Sequence, residues 1–198
     1  MGNTSSQDKS LSELSLKMQI ENLVKKLLND SSVDEVLSSL QWISLQNDPI
    51  LLDHLADTII SQAISNPNHS PTYLNLAKLT ELSVTSVTKE EINFKDVFMK
   101  KSIIIFQEME RDISSKSKDN LVKAQLLGYL FNVRLVSTVL ISYWLNTIQE
   151  THPEEHKIIL ETIADQVEIE FQRPIHDKQI DSLIQLMQER GIIQPKQT

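Results

Sequence analysis

Cysteine is absent from the 198 residues, which removes disulfide frameworks, thiolate zinc sites and cysteine nucleophiles together. Glycine stands only at Gly2, Gly128 and Gly191, too sparse for a G-x-G-x-x-G or Walker phosphate loop, and no G-x-S-x-G elbow occurs. With 6 prolines and no Asn-Gly or Asp-Gly pair, hairpin chemistry is missing and turns must separate long elements, which favours helices. No apolar run reaches the roughly 18 to 20 uncharged residues of a spanning helix, and no hydrophobic signal core follows Met1. Excess positive charge is missing too: a net charge of −8 argues against a surface given over wholly to nucleic acid. These absences predict a soluble, cytoplasmic protein.

What remains is ordinary globular composition, 40 % hydrophobic and 23 % charged, enough to build a core and far from the signature of disorder. Residues 1–10 are small and polar and read as a flexible leader, 11–193 as a single domain, and 194–198 as a tail. The leader opens with Met-Gly-x-x-x-Ser, the N-myristoylation pattern, which would acylate Gly2 and bring transient membrane contact. The alternative is a plain polar start.

Apolar spacing beyond Leu11 is helical throughout. Leu11, Leu14, Met18, Ile20, Leu23, Val24, Leu27 and Leu28 predict one buried stripe on the first helix. Ser32 and Glu35 form a capping-box pattern, Asp48-Pro49 and Ser70-Pro71 each read as an N-cap followed by proline, and Thr88 with Glu91 suggests another box. A corner falls at Ser137, Thr151 with Pro153 and Glu154 starts a further helix, and Gly191 is a candidate C-cap. The result is an all-α chain of about nine helices. Its middle helices are apolar around most of their circumference, which favours stacked antiparallel pairs in a HEAT-like, armadillo-type crescent over a bundle.

Between Leu126 and Ile148 the sequence LLGYLFNVRLVSTVLISYWLNTI places Gly128, Leu130, Phe131, Arg134 and Ser137 in a pattern that resembles the signature helix pair of the middle domain of the eukaryotic translation initiation factor 4G scaffold, the MIF4G family. Upstream, Lys101, Ser102 and Phe106 fit the preceding family helix, whereas Ile103 stands where that family usually has glutamine. The likeness covers Phe98 to about Ile148. It implies a HEAT-like adaptor without catalysis or cofactor, acting in translation or mRNA metabolism, whose partners are a DEAD-box helicase of the initiation-factor-4A type or another mRNA-processing protein, and RNA. The glycine would let two helices approach closely, Leu130 and Phe131 would fill the groove between repeats, and Arg134 would snorkel from that groove or meet a carboxylate. None of Tyr73, Tyr129 and Tyr143 is followed at the fifth position by leucine, so the cap-factor motif of some relatives is missing.

Lys100, Lys101, Arg111, Lys116, Lys118 and Lys123 concentrate positive charge in an acidic chain and form a candidate patch for a partner or an RNA backbone, against the plainer reading of a solvated helix edge. A membrane-tethered helical adaptor for an unrelated protein is the alternative function. A remote one is a zinc hydrolase, because His152-Pro153-Glu154-Glu155-His156 formally fits H-x-x-E-H with Glu155 as base. Pro153 speaks against it, since proline belongs in a first helical turn and would leave His152 at the helix entrance.

Overall fold

The computed structural model describes residues 4–29, 31–41, 43, 45, 48–85, 93–111, 118–148, 152–171 and 178–192. Among these residues the chain is all-helical: α1 (Thr4–Lys25), α2 (Val33–Gln41), α3 (Pro49–Ser65), α4 (Ser70–Thr85), α5 (Phe94–Arg111), α6 (Lys118–Asn132), α7 (Thr138–Ile148), α8 (Pro153–Phe171) and α9 (Lys178–Glu189), with short 3-10 turns at Lys26–Asn29 and Pro67–His69. No described helix is long and apolar enough to cross a membrane. The chain divides into two compact units, Met1–Lys101 and Ser102–Thr198, and the division falls inside α5.

In the first unit the helix starts follow local chemistry. The Ser32 hydroxyl accepts from the Glu35 amide at 3.1 Å while the Glu35 carboxylate accepts from the Ser32 amide at 3.3 Å, the reciprocal capping box expected for α2. Asp48 caps α3 by accepting from the Ile50 and Leu51 amides at 2.9 and 3.3 Å, with Pro49 at the first helical position. Ser70 does not repeat that device. It is itself helical, at φ −50°, and its buried hydroxyl donates to the Ala63 carbonyl at 2.7 Å, because the preceding 3-10 turn already leads the chain into α4. Asn93 caps α5, its side chain accepting from the Lys95 amide at 2.9 Å. The Thr88–Glu91 box lies outside the described residues.

Within this unit α1 packs on α3, α2 on α4, and α3 on α4, around the fully buried Ile20, Val24, Leu52, Leu55, Ile59 and Leu74. Phe94 and Phe98 close the core edge to face at 5.1 Å. Lys101 ties α5 to α3, reaching Asp57 at 2.6 Å and Asp53 at 3.0 Å. The single buried stripe expected on α1 is incorrect. Ile20, Val24 and Leu27 are buried, but Leu11, Leu14 and Met18 are 65, 57 and 57 % exposed. The step from Met18 to Ile20 turns about 200° around a helix of 3.6 residues per turn, so the two sets occupy opposite faces.

In the second unit α6 lies along α8, and α7 packs on both α8 and α9. Phe106 of α5 stacks on Trp144 at 5.7 Å and meets Tyr143 at 6.1 Å. Leu127, Leu130, Leu135, Leu145, Ile159 and Ile163 are fully buried, each contributing roughly 1.5–3 kcal/mol. Two helices in this unit end in the same motif. After α9 the Gly191 amide donates to the Gln188 carbonyl and the Ile192 amide to the Met187 carbonyl, with Gly191 at φ 69°. After α6 the Arg134 amide donates to Phe131 at 2.8 Å and the Leu135 amide to Leu130 at 3.0 Å, with Arg134 at φ 62°. An arginine thus occupies the left-handed position that glycine fills at the end of α9.

A side chain in that conformation costs energy that glycine does not. Arg134→Gly is therefore expected to raise stability by about 1 kcal/mol, read as a higher urea midpoint with unchanged slope. An unchanged or lower midpoint would mean that the arginine side chain returns more than the strain removes.

Candidate functional site

Gly128 lets α6 approach α8 closely. A β-carbon placed there would lie 2.5 Å from Thr162 Cβ, 2.8 Å from Thr162 Cγ2 and 3.2 Å from the Ile159 carbonyl oxygen. The close approach expected of this glycine is present, and it is made to α8. One turn further on, the Asn132 side-chain amide (Nδ2) donates to the Thr162 carbonyl at 2.7 Å, so the same residue of α8 is held twice by α6. The chain then reverses through Arg134, and Ser137 caps α7 by accepting from the Leu140 amide at 3.4 Å. Leu130 is fully buried and Phe131 half-buried, while Arg134 is exposed and serves as the turn residue.

Around this corner the surface offers two features. Between α6 and α8 a cleft of about 480 Å³ is lined by Leu121, Val122, Gln125, Tyr129, Ile158, Glu161 and Thr162. On α7, Val139 and Tyr143 are 56 and 58 % exposed and, four residues apart, share one face. Tyr143 is an exposed aromatic that sequence spacing did not single out. It sits in an apolar helix, and the packing of Phe106, α8 and α9 against that helix decides which of its faces is covered.

The six candidate cations divide. Lys100 and Lys101 belong to the first unit and the others to the second. Lys101 is only 14 % exposed and is spent on Asp53 and Asp57; burial pulls its pKa down, but the hydrogen bonds and charges of Asp57 and Asp53 outweigh that and leave it raised. Lys123 reaches Glu108 at 2.8 Å. Lys100, Arg111 and Lys118 are exposed, and Lys116, like Gly2, lies outside the described residues.

His152, Glu155 and His156 are buried at the start of α8, at 3, 1 and 4 % exposure. The His152 carbonyl accepts from the His156 amide at 3.1 Å, which puts His152 at the helix entrance, as Pro153 implies. Thr151 is outside the described residues. His152 Nδ1 is 3.7 Å from Glu155 Oε1, beyond hydrogen-bond reach. Among the described residues no three His, Asp or Glu side chains are placed to hold a metal ion. The two histidines are closed from solvent, and no described side chain stands beside them as a third ligand, so the zinc-hydrolase reading gains no support here. Burial, and then the Arg190 charge, push the His156 pKa down.

No family model matches the chain, and no curated protein or solved structure matches it. The likeness to the initiation-factor-4G middle domain therefore rests on the residues alone.

Two outcomes follow from this geometry. Gly128→Ala gains helix propensity but forces α6 from Thr162, for a net loss of about 1–3 kcal/mol; in a double-mutant cycle with Thr162→Gly, urea unfolding should recover about 1 kcal/mol relative to additivity, and strict additivity would deny the contact. His156 binds its proton more weakly folded than unfolded, so the unfolded chain takes up more protons as pH falls below about 6.5. Stability should accordingly decline from that point down to the lowered native pKa and be level above it. Thermal midpoints between pH 5 and 7.5 should show the decline in the wild type and a shallower one in His156→Gln.

Proposed function

We propose that the chain is a non-enzymatic adaptor of translation or mRNA metabolism, built of HEAT-like stacked helix pairs, which docks a DEAD-box helicase of the initiation-factor-4A type and takes RNA as a second ligand. The observation that carries this reading is the α6–α7 corner. Four of the five signature residues there have a physical role, with Gly128 making the close crossing, Leu130 filling the core, Arg134 reversing the chain and Ser137 capping the next helix. A corner formed this way leaves the outer face of α7, with Val139 and Tyr143, open to a protein partner.

The order of packing supports the stacked-pair reading within each unit. Helices meet their next and next-but-one neighbours: α1 with α3 and α2 with α4 in the first unit, α6 with α8 and α7 with α9 in the second. The side chains of α5 follow the same rule, Lys101 toward α3 and Phe106 toward α7. Two-layered helical repeats pack in this way because each pair can bury its apolar face only against the next pair.

Calorimetric titration of the chain against a purified helicase core of that type, at two salt concentrations, tests the reading. Saturable binding in the micromolar range or tighter is expected, weakened by Tyr143→Ala and by the charge reversals Lys100→Glu or Arg111→Glu. Lys101 is left unaltered, since its reversal would set three like charges together and perturb folding. Absence of binding at either salt would remove the helicase as partner.

A further inference from the structure

No side chain from Leu11 to Gln19 is buried, and Leu11, Leu14 and Met18 stand exposed on one face of α1 at steps of three and four. A helical stretch with no buried side chain draws little stability from tertiary packing, which is where most helical stability in proteins comes from. The Lys17–Glu13 pair at 2.6 Å and the Gln19–Ser15 hydrogen bond at 3.5 Å add little, so the stripe calls for a cover.

A second copy of this chain is a poor one. The next positions along the stripe are Glu21 and Lys25, 3.8 Å apart as an ion pair. The apolar seam therefore ends after two turns, short of the roughly three to four heptads of a coiled coil. Three side chains also fall well below the roughly 800 Å² per partner of a stable protein interface. A lipid surface, by contrast, takes small apolar insertions, and the sequence immediately ahead, Met1-Gly2-x-x-x-Ser6, is an acylation pattern.

We propose that, with translation initiating at Met1, an acyl chain on Gly2 and the Leu11, Leu14 and Met18 face of α1 form a two-part, reversible anchor for a lipid bilayer surface. Hydrolysis of the Met1–Gly2 peptide bond frees the Gly2 amine. Its nitrogen attacks the thioester carbonyl of a myristoyl-coenzyme A; the amide C–N bond forms as the C–S bond breaks, and the proton lost from nitrogen leaves with the coenzyme A thiol. One saturated chain holds a bilayer only weakly, and lasting attachment takes a second signal, which the stripe supplies. Glu13 and Lys17 offset each other, so attachment draws on apolar contact and depends little on anionic lipid. This anchor is independent of helicase docking.

The full chain, coexpressed with an N-myristoyltransferase and supplied with myristate, is tested by intact mass and by cosedimentation with phosphatidylcholine vesicles, with and without phosphatidylserine. Loss of Met1 with gain of one acyl chain is expected, and about a tenfold or greater drop in partitioning when acylated Leu14→Gln/Met18→Gln replaces the acylated wild type. Leu14→Met/Met18→Leu should keep the wild-type partition, and circular dichroism should give all three the same unfolding midpoint. Equal partitioning of the wild type and the glutamine variant would overturn the proposal, as would absence of the acyl group. A wild-type dimer that the glutamine variant abolishes, without vesicle binding, would assign the stripe to a second copy instead.

Discussion

Everything in the second unit is organised around the distance at which α6 can approach α8. With no side chain at Gly128, the two backbones come near enough for Thr162 to fill the place of a β-carbon and for Asn132 to reach the Thr162 carbonyl. Close approach multiplies small dispersion contacts along both helices and lets Leu127, Leu130, Ile159 and Ile163 leave water completely. The helix propensity lost at glycine, about 1 kcal/mol, is small beside that burial. The corner beyond it depends on the same contact, because a helix clamped at Asn132 must reverse within a few residues for Ser137 to open α7.

The reversal shows how a helix end tolerates an unfavourable residue. Arg134 and Gly191 close their helices with the same pair of amide–carbonyl hydrogen bonds, yet only one is a glycine. At Arg134 the left-handed backbone is held because Leu135, immediately after it, is fully buried, and releasing the turn would expose that side chain. Strain in the backbone is offset by burial next to it.

Charge is arranged with similar economy. Lys101 sits between Asp53 and Asp57, and Lys123 beside Glu108, so part of the basic run near α5 and α6 joins helices together and is not offered to a partner. At the start of α8 the arrangement is reversed: His152, Glu155 and His156 are polar yet buried, and burial with the Arg190 charge keeps His156 inclined to neutrality. Groups of this kind make a helix entrance sensitive to pH.

The sequence by itself determined the all-α class, the capping box at Ser32 and Glu35, the cap at Asp48, the corner at Ser137 and the glycine at the end of α9, because each of those is settled within one helical turn of the residues concerned. The role of Asn93 had an equally local signal, a capping residue directly before an apolar helix. Ser70 carried such a signal too, but a 3-10 turn ahead of it put its hydroxyl on Ala63. Tertiary structure decided the rest: which helix Gly128 touches, which lysines are paired, which face of α7 shows Tyr143, and why Leu11, Leu14 and Met18 remain outside while Ile20 and Val24 are covered. Helical spacing states which residues share a face. Which face is buried depends on helices distant in sequence, whose positions no local pattern encodes.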